Sequence, residues 1–309
     1  MSFHSCGAFG LKKGLKDSSN LVAGAAARIV SELELSGFES DLLTAWERFL
    51  VDPATSDKGC RAKSAIVEAL GRTGFDDADF WLAGVSYQQV EPMWPAPEDT
   101  AVEVRGGCAF GLARSRQLTA VRKLTALVDL LHSPTVADRV HAVQAVADTE
   151  SESAIPLLKS KMLGGDVAAV KGVCFAGLLR LAPVEFLPRV VRYLQHNADD
   201  IHAEACAALG ESGLPEAVDA LIASAKKTPS KERLETILQS LGLSRSPAAV
   251  EFLITRLQAD GSDALAALHA LRPACVHPEV CARVLDATRS SSNSRVTAAA
   301  KVLRGRDES

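Results

Sequence analysis

Apolar residues recur along this chain three and four positions apart, in stretches about a dozen residues long that end in Gly, Pro, Asp or Ser. That spacing predicts amphipathic helices with one buried face each. Leu118, Val121, Leu124, Leu127, Val128 and Leu131 make one stripe, and Val250, Leu253, Ile254 and Leu257 another. Stripes of large residues alternate with stripes of small ones, such as Ala203, Ala205, Ala207 and Ala208. Each small-residue stretch closes on Ala-Leu-Gly or a close variant, anchored at Leu70, Leu112, Val146, Leu178, Leu209, Leu241, Leu271 and Leu303. The anchors are 42, 34, 32, 31, 32, 30 and 32 residues apart. A period in that range marks an array of two-helix units, each of which buries its face only against its neighbours.

The pattern predicts a helix over about 20–35, with Leu21, Val22, Ala25, Ile29 and Leu33 as its apolar stripe. Eight helix pairs follow at about 39–72, 75–114, 117–148, 151–180, 184–211, 215–243, 246–272 and 277–304. Pro134, Pro215, Pro247 and Pro278 fall near helix starts, where a missing N–H costs nothing. Asp166, Asp199 and Asn293 precede second helices and can accept from their free N–H groups. Gly71, Gly210 and Gly242 follow the anchor leucine, where positive φ can close a helix. Residues 1–18, with Gly7, Gly10 and Gly14, are expected to be a mobile arm or one short helix. A single domain is expected over 19–304, with 305–309 as a tail.

The chain has 309 residues, 47% hydrophobic and 5% aromatic, and strand-like alternation is nearly absent. Net charge is −4, with +2 in residues 1–20 and +3 in 282–309, leaving −9 for the body. An acidic body argues against a nucleic-acid or anionic-membrane surface. The seven cysteines include no CxxC. Cys60, Cys108, Cys174 and Cys206 fall in second helices, where a thiol is a small buried hydrophobe. An odd count of such residues suits a reducing, cytoplasmic compartment. Neither a signal-peptide run nor the roughly 20 apolar residues of a membrane span is found.

Seven positions before the anchors stand Lys63, Arg105, Arg139, Lys171 and His202, and six before the first three of these stand Asp57, Asp99 and Ser133. The string from Asp99 through Arg105 to Leu112 resembles the second helix of a HEAT repeat, of the short bacterial type also seen in phycobilin lyases. The resemblance covers about 39–304. It implies that the Asp caps the helix and that Asp and Arg form a hydrogen-bond ladder between repeats. The expected ladder is Asp57, Lys63, Asp99, Arg105, Arg139, Lys171 and His202. Leu234, Ala264 and Val296 occupy the basic position in the last three repeats, so the ladder should weaken there. The expected fold is therefore all-α, a right-handed α-solenoid of about eight HEAT-like helix pairs plus an extra N-terminal helix.

Three functional alternatives attach to this architecture. HEAT-repeat deoxyhypusine hydroxylases hold di-iron through His-Glu dipeptides, but none of His4, His132, His141, His196, His202, His269 and His277 precedes Glu. His202 and Glu204 would point about 200° apart on a helix. No metal and no cofactor is expected. HEAT-like DNA glycosylases need a positive groove and a catalytic carboxylate, which a −9 body opposes. The basic end (Arg283, Arg289, Arg295, Lys301, Arg304, Arg306) reads as a solvated last face. A bilin lyase or chaperone-like role would rest on fold analogy alone. No nucleophile–base pair or phosphate loop points to catalysis.

The 42-residue step places about ten extra residues within Tyr87–Glu98, where Pro92, Pro95 and Pro97 exclude a helix. Insertions in repeat arrays map to loops, often on the binding face. Residues 73–104 carry seven carboxylates and no Lys or Arg, together with Phe75, Phe80, Trp81, Tyr87 and Trp94. Phe80 and Trp81 read as core. Tyr87, Glu91, Trp94 and Glu98 read as contacts for a basic, partly apolar segment of another protein. The expectation is a non-catalytic protein-interaction scaffold that uses its inner surface and the 87–98 loop.

Overall fold

The structure is a computed structural model that describes residues 3–289 and 291–307. The fold is an all-α repeat array, and its contacts divide the chain into two compact units, residues 1–154 and 155–309.

In the first unit, helix pairs form at Phe3–Leu15 with Asn20–Glu32, Glu39–Leu50 with Arg61–Arg72, Ala78–Gly84 with Val102–Arg114, and Ala120–Leu131 with Val136–Asp148. The second helices pack side by side in sequence order, and each first helix lies against its own partner. In the second unit, Ala168–Leu181, Asp199–Glu211, Lys231–Leu243, Ala264–Leu271 and Ser294–Asp307 form the same kind of row. Pro215, Pro247 and Pro278 each open a helix, as their missing donor allows. The anchors are core residues: all are fully buried except Leu303, which is nearly so.

The expected extra helix belongs to a ninth pair, because Phe3–Leu15 packs on Asn20–Glu32. Leu15 is fully buried, and Lys12 pairs with Asp41 at 3.3 Å. Arg48 donates to the carbonyls of Leu15 and Asp17, closing the end of that helix. Residues 305–307 continue the last helix instead of forming a tail; residues 308–309 lie outside the described residues.

The face of Asn20–Glu32 requires correction. Ala23, Ala26, Ala27 and Val30 are buried, whereas Leu21, Val22, Ala25, Ile29 and Leu33 are exposed. The helix is the second of its pair and packs closely on Arg61–Arg72. An added Cβ on Gly24 would lie 3.3 Å from the Arg61 carbonyl oxygen. A close approach selects the alanine face over the larger one.

The glycines after the anchor also differ from expectation. Gly71, Gly210 and Gly242 all lie inside their helices with negative φ. A Cβ on Gly210 would collide with the Ser240 carbonyl, and one on Gly242 with that of Ala270. These two glycines let consecutive second helices touch backbone to backbone. They do not terminate anything.

Candidate functional site

Two regions of the first unit are candidates for a site: the insertion after Ala78–Gly84, and a hollow in the row of second helices. The insertion is a short hairpin in which Val90–Glu91 pairs antiparallel with Glu98–Asp99. Its base is fixed by buried polar groups. The Glu91 carboxylate accepts from Gly59 N at 2.6 Å, Gln89 Nε2 at 2.7 Å and Thr100 Oγ1 at 2.8 Å. Burial alone would raise the Glu91 carboxyl, but these donors outweigh it and hold the group below its ordinary range. Gln89 also donates to the carbonyls of Pro53 and Asp57. The base is thus bonded to the preceding repeat.

The four expected contact residues separate into two pairs. Glu91 is 2% exposed and satisfied internally, so it cannot present charge to a partner. Tyr87 is half-buried beside Trp46, with ring centroids 5.9 Å apart, and donates to Gln89 Oε1 at 2.9 Å. Burial, with nearby Cys60 and Asp57, pushes its phenol up to about 12. Both residues build the base. Trp94, by contrast, is 96% exposed at the tip, beside half-exposed Met93, and Glu98 is exposed on the returning strand.

The surrounding acidity is mostly consumed by the fold. Asp77 caps its own helix by accepting from Phe80 N, Asp76 accepts from Arg116 N, and Asp99 pairs with Arg105. Asp79, Glu98 and Glu103 are the carboxylates of this segment that stay exposed and make no side-chain hydrogen bond or ion pair among the described residues. Phe80 and Trp81 join Phe75 and Trp46 in an edge-to-face cluster, with Trp81 fully buried. Its indole lies where a Cβ on Gly111 would be.

The basic series has a role that repeat spacing alone did not reveal. Each member reaches back to the end of the first helix in its own repeat. Lys63 Nζ donates to Phe49 O at 3.1 Å, and Arg105 Nη1 to Tyr87 O at 2.8 Å. Arg139 donates to the carbonyls of Ser133 and Pro134, and Lys171 to those of Met162 and Gly164. His202 Nδ1 lies 3.0 Å from Leu194 O. A cation there satisfies carbonyls that have no helical donor. The implied ladder between repeats is thereby corrected: these side chains close their own repeat, and Arg105 makes a rung between repeats as well, gripping Asp138 with Nε at 3.0 Å and Nη2 at 2.9 Å. Asp57 and Asp99 cap as expected. Asp57 accepts from Ala62 N and Lys63 N while pairing with Lys63 at 2.9 Å, and Asp99 accepts from Ala101 N. After His202 the position is apolar, but the neighbouring Arg233 supplies a rung to Asp199 at 2.7 Å.

The hollow has a volume of about 590 Å³ and opens to solvent on one side. Its lining includes Gly71, Gly106, Gly107 and Gly111, together with Arg28, Arg61, Arg72, Arg114 and His141 and the carboxylates Glu68 and Glu103. Sequence reasoning missed it because Arg28 lies on a different helix from Arg61 and Arg72, and only the offset of 37 residues between the two helices brings them to one face. Among the described residues no group of His, Cys, Asp and Glu could hold a metal ion. The thiols of Cys108, Cys174 and Cys206 are pushed well above their ordinary value by burial, which leaves them unreactive. Among the described residues no helix is long and apolar enough to cross a membrane.

Paired helices, small-residue rows and capped first helices define an all-α repeat protein. Residues 187–272 match the family of HEAT repeats, and the match lies wholly in the second unit. None of the curated proteins matches. Among solved structures the chain is similar to the complex of CpcE and CpcF of phycocyanin lyase from Nostoc sp., at 16% identity and a TM-score of 0.40, covering 84% of this chain and 94% of that one. It is similar also to an engineered protein, at 18% identity and a TM-score of 0.35, covering 95% and 87%. A third is human deoxyhypusine hydroxylase in complex with glycerol, at 18% and 0.33, covering 91% and 98%. At such scores nothing about this chain's chemistry rests on these three.

Proposed function

We propose that this chain is a non-catalytic scaffold that binds another protein, with the tip of the 87–98 hairpin as one contact. The observation that carries the reading is the contrast within the hairpin. Its base is locked by Glu91, Gln89 and Asp99, while Trp94 stands 96% exposed at the tip. A bare indole on a fixed mount presents a large contact area whose ordering cost is already met. Glu98 adds one carboxylate beside it. The buried, high-pKa thiols and the capped basic series agree with a structural role for the groups that might otherwise suggest catalysis.

A photoreactive amino acid placed at position 94 tests this in the native cell. Position 184 is the control, since Val184 is 93% exposed on the second unit. The expected result is one discrete adduct from position 94 and none from 184. The same diffuse products from both positions, or no adduct from 94, would overturn the reading.

A further inference from the structure

We propose that the glycine-lined hollow of the first unit receives an acidic, partly apolar segment of the protein partner, with Arg28 and Arg61 as its anchors. The proposal rests on the scaffold reading and names the chemistry of what is bound.

The charges in the hollow are unequal in availability. Glu68 accepts from Ser31 Oγ at 3.2 Å and pairs with Arg72 at 3.4 Å, and Arg114 pairs with Asp148 at 3.5 Å. Among the described residues, Arg28 and Arg61 have neither a carboxylate nor a carbonyl within bonding distance, and both are exposed. The Asn20–Asp57 and Ser31–Glu68 contacts set the register of their helices, and that register puts Arg28 level with Ala65. Arg61 is then one helical turn below, about 6 Å along the axis. Two guanidinium groups so placed can hold neighbouring carboxylates of one segment, where their planar forks fit best.

The surroundings give the segment its remaining character. Leu21, Val22, Ala25, Ile29 and Leu33 form an exposed apolar stripe on the helix that carries Arg28, an outward face that apolar side chains of a ligand would cover. The hollow is open along one side and crosses four second helices. That shape suits a chain laid across it better than an enclosed small molecule. Glu103 lines the same hollow, pairs with no cation among the described residues and repels acid on its side, which gives the segment a direction. With two unpaired cations against this carboxylate, the hollow lacks the run of positive charge that a phosphate backbone needs.

The test selects linear peptides from a random display library on the full chain. Binding of one selected peptide is then measured to the variants, alongside an oligothymidylate. The expected peptides combine Asp or Glu with Leu, Ile, Val or Phe. Arg28→Ala and Arg61→Ala should each weaken binding about tenfold, and Glu103→Gln should tighten it. Raising the salt should weaken the wild type more than the arginine variants. All three side chains are exposed, so an unchanged melting curve confirms that the variants fold. Selected peptides without acidic enrichment would overturn the proposal. So would acidic peptides that bind the arginine variants equally well, or displacement by oligothymidylate at lower concentration than competing peptide. None of these outcomes alters the adduct expected at position 94, so the two readings fail separately.

Discussion

The two units solve the same problem, closing the exposed carbonyls of a first helix, with different chemistry. In the first unit two of the closing groups, Lys63 and Arg105, are cations held by carboxylates. Lys63 and Asp57 are both fully buried, and Arg105 stands between Asp99 and Asp138. In the second unit Lys171 closes the Met162 and Gly164 carbonyls from a part-exposed position, His202 closes that of Leu194 as an imidazole with Cys206 Sγ 3.5 Å from its Nε2, and the repeats beyond carry no residue of this kind. There the rows are drawn together by backbone contact at Gly210 and Gly242. The first unit also holds Trp46, Trp81, Trp94 and the insertion, whereas the second keeps the even repeat that the HEAT family matches. Regular spacing makes a segment recognisable. Departure from it is what gives the first unit its two candidate contact surfaces.

Removing one member of a buried ion pair is the sharpest way to break this comparison. Asp57→Ala leaves the Lys63 ammonium buried without a carboxylate, and also frees the Ala62 and Lys63 N–H groups. A loss of about 3–5 kcal/mol is expected, as for other halved buried pairs. His202→Ala strands only the Leu194 carbonyl and should cost about 1–2 kcal/mol. All three tryptophans lie in the first unit, so indole fluorescence in urea follows that unit, while amide exchange follows the helices of the second. Equal losses from the two substitutions would show that the charge difference between the units has no energetic weight.

The glycines give the next largest effect, and they oppose one another. Gly210→Ala and Gly242→Ala force a Cβ against a carbonyl of the following second helix, with an expected cost of about 1–3 kcal/mol. Gly71 occupies the equivalent place in the first unit, but a Cβ there meets nothing within 4 Å. Gly71→Ala should therefore be neutral or stabilise by up to about 1 kcal/mol through helix propensity. Thermal melts of the three variants check the sign.

These glycines also show where the sequence was readable. The anchors from Leu70 to Leu303, the helix pairs and the buried cysteines follow from periodicity, because a core position repeats whenever its helix does. Periodicity does not say which of two apolar faces is buried, and on Asn20–Glu32 the close approach at Gly24 decided for alanine. Nor does it separate a carboxylate on the surface from one that ties a loop down. Glu91 and Glu98 face each other across one hairpin, and only the three donors that bury Glu91 distinguish them. Trp94 was legible because three neighbouring prolines leave a tip with little to fold against. Arg28 and Arg61 were not, since their shared hollow depends on an offset between repeats that no single helix displays.

The smallest expected effect is a pH dependence confined to the second unit. Burial holds the His202 imidazole below its ordinary value, and the charge of Arg233 adds to this, against the Leu194 carbonyl and Asp199. A folded pKa below the unfolded one favours the neutral ring. The contribution is complete above the unfolded value of about 6.5 and declines as pH falls below it, because the unfolded chain then takes up a proton that the fold refuses. The slope for one proton cannot exceed about 1.4 kcal/mol per pH unit. Glu91 in the first unit is shifted the other way relative to its charge. Its carboxylate is held ionised, so its contribution persists until the pH falls through the carboxylate range. Mild acid should therefore lower the protection factors of the amides in Asp199–Glu211, once the slower intrinsic exchange at lower pH is divided out, while indole fluorescence stays constant. His202→Gln, which keeps an N–H for Leu194 but cannot titrate, should flatten that response. An equal response in the variant would assign the pH dependence to another group and leave His202 a purely structural cap.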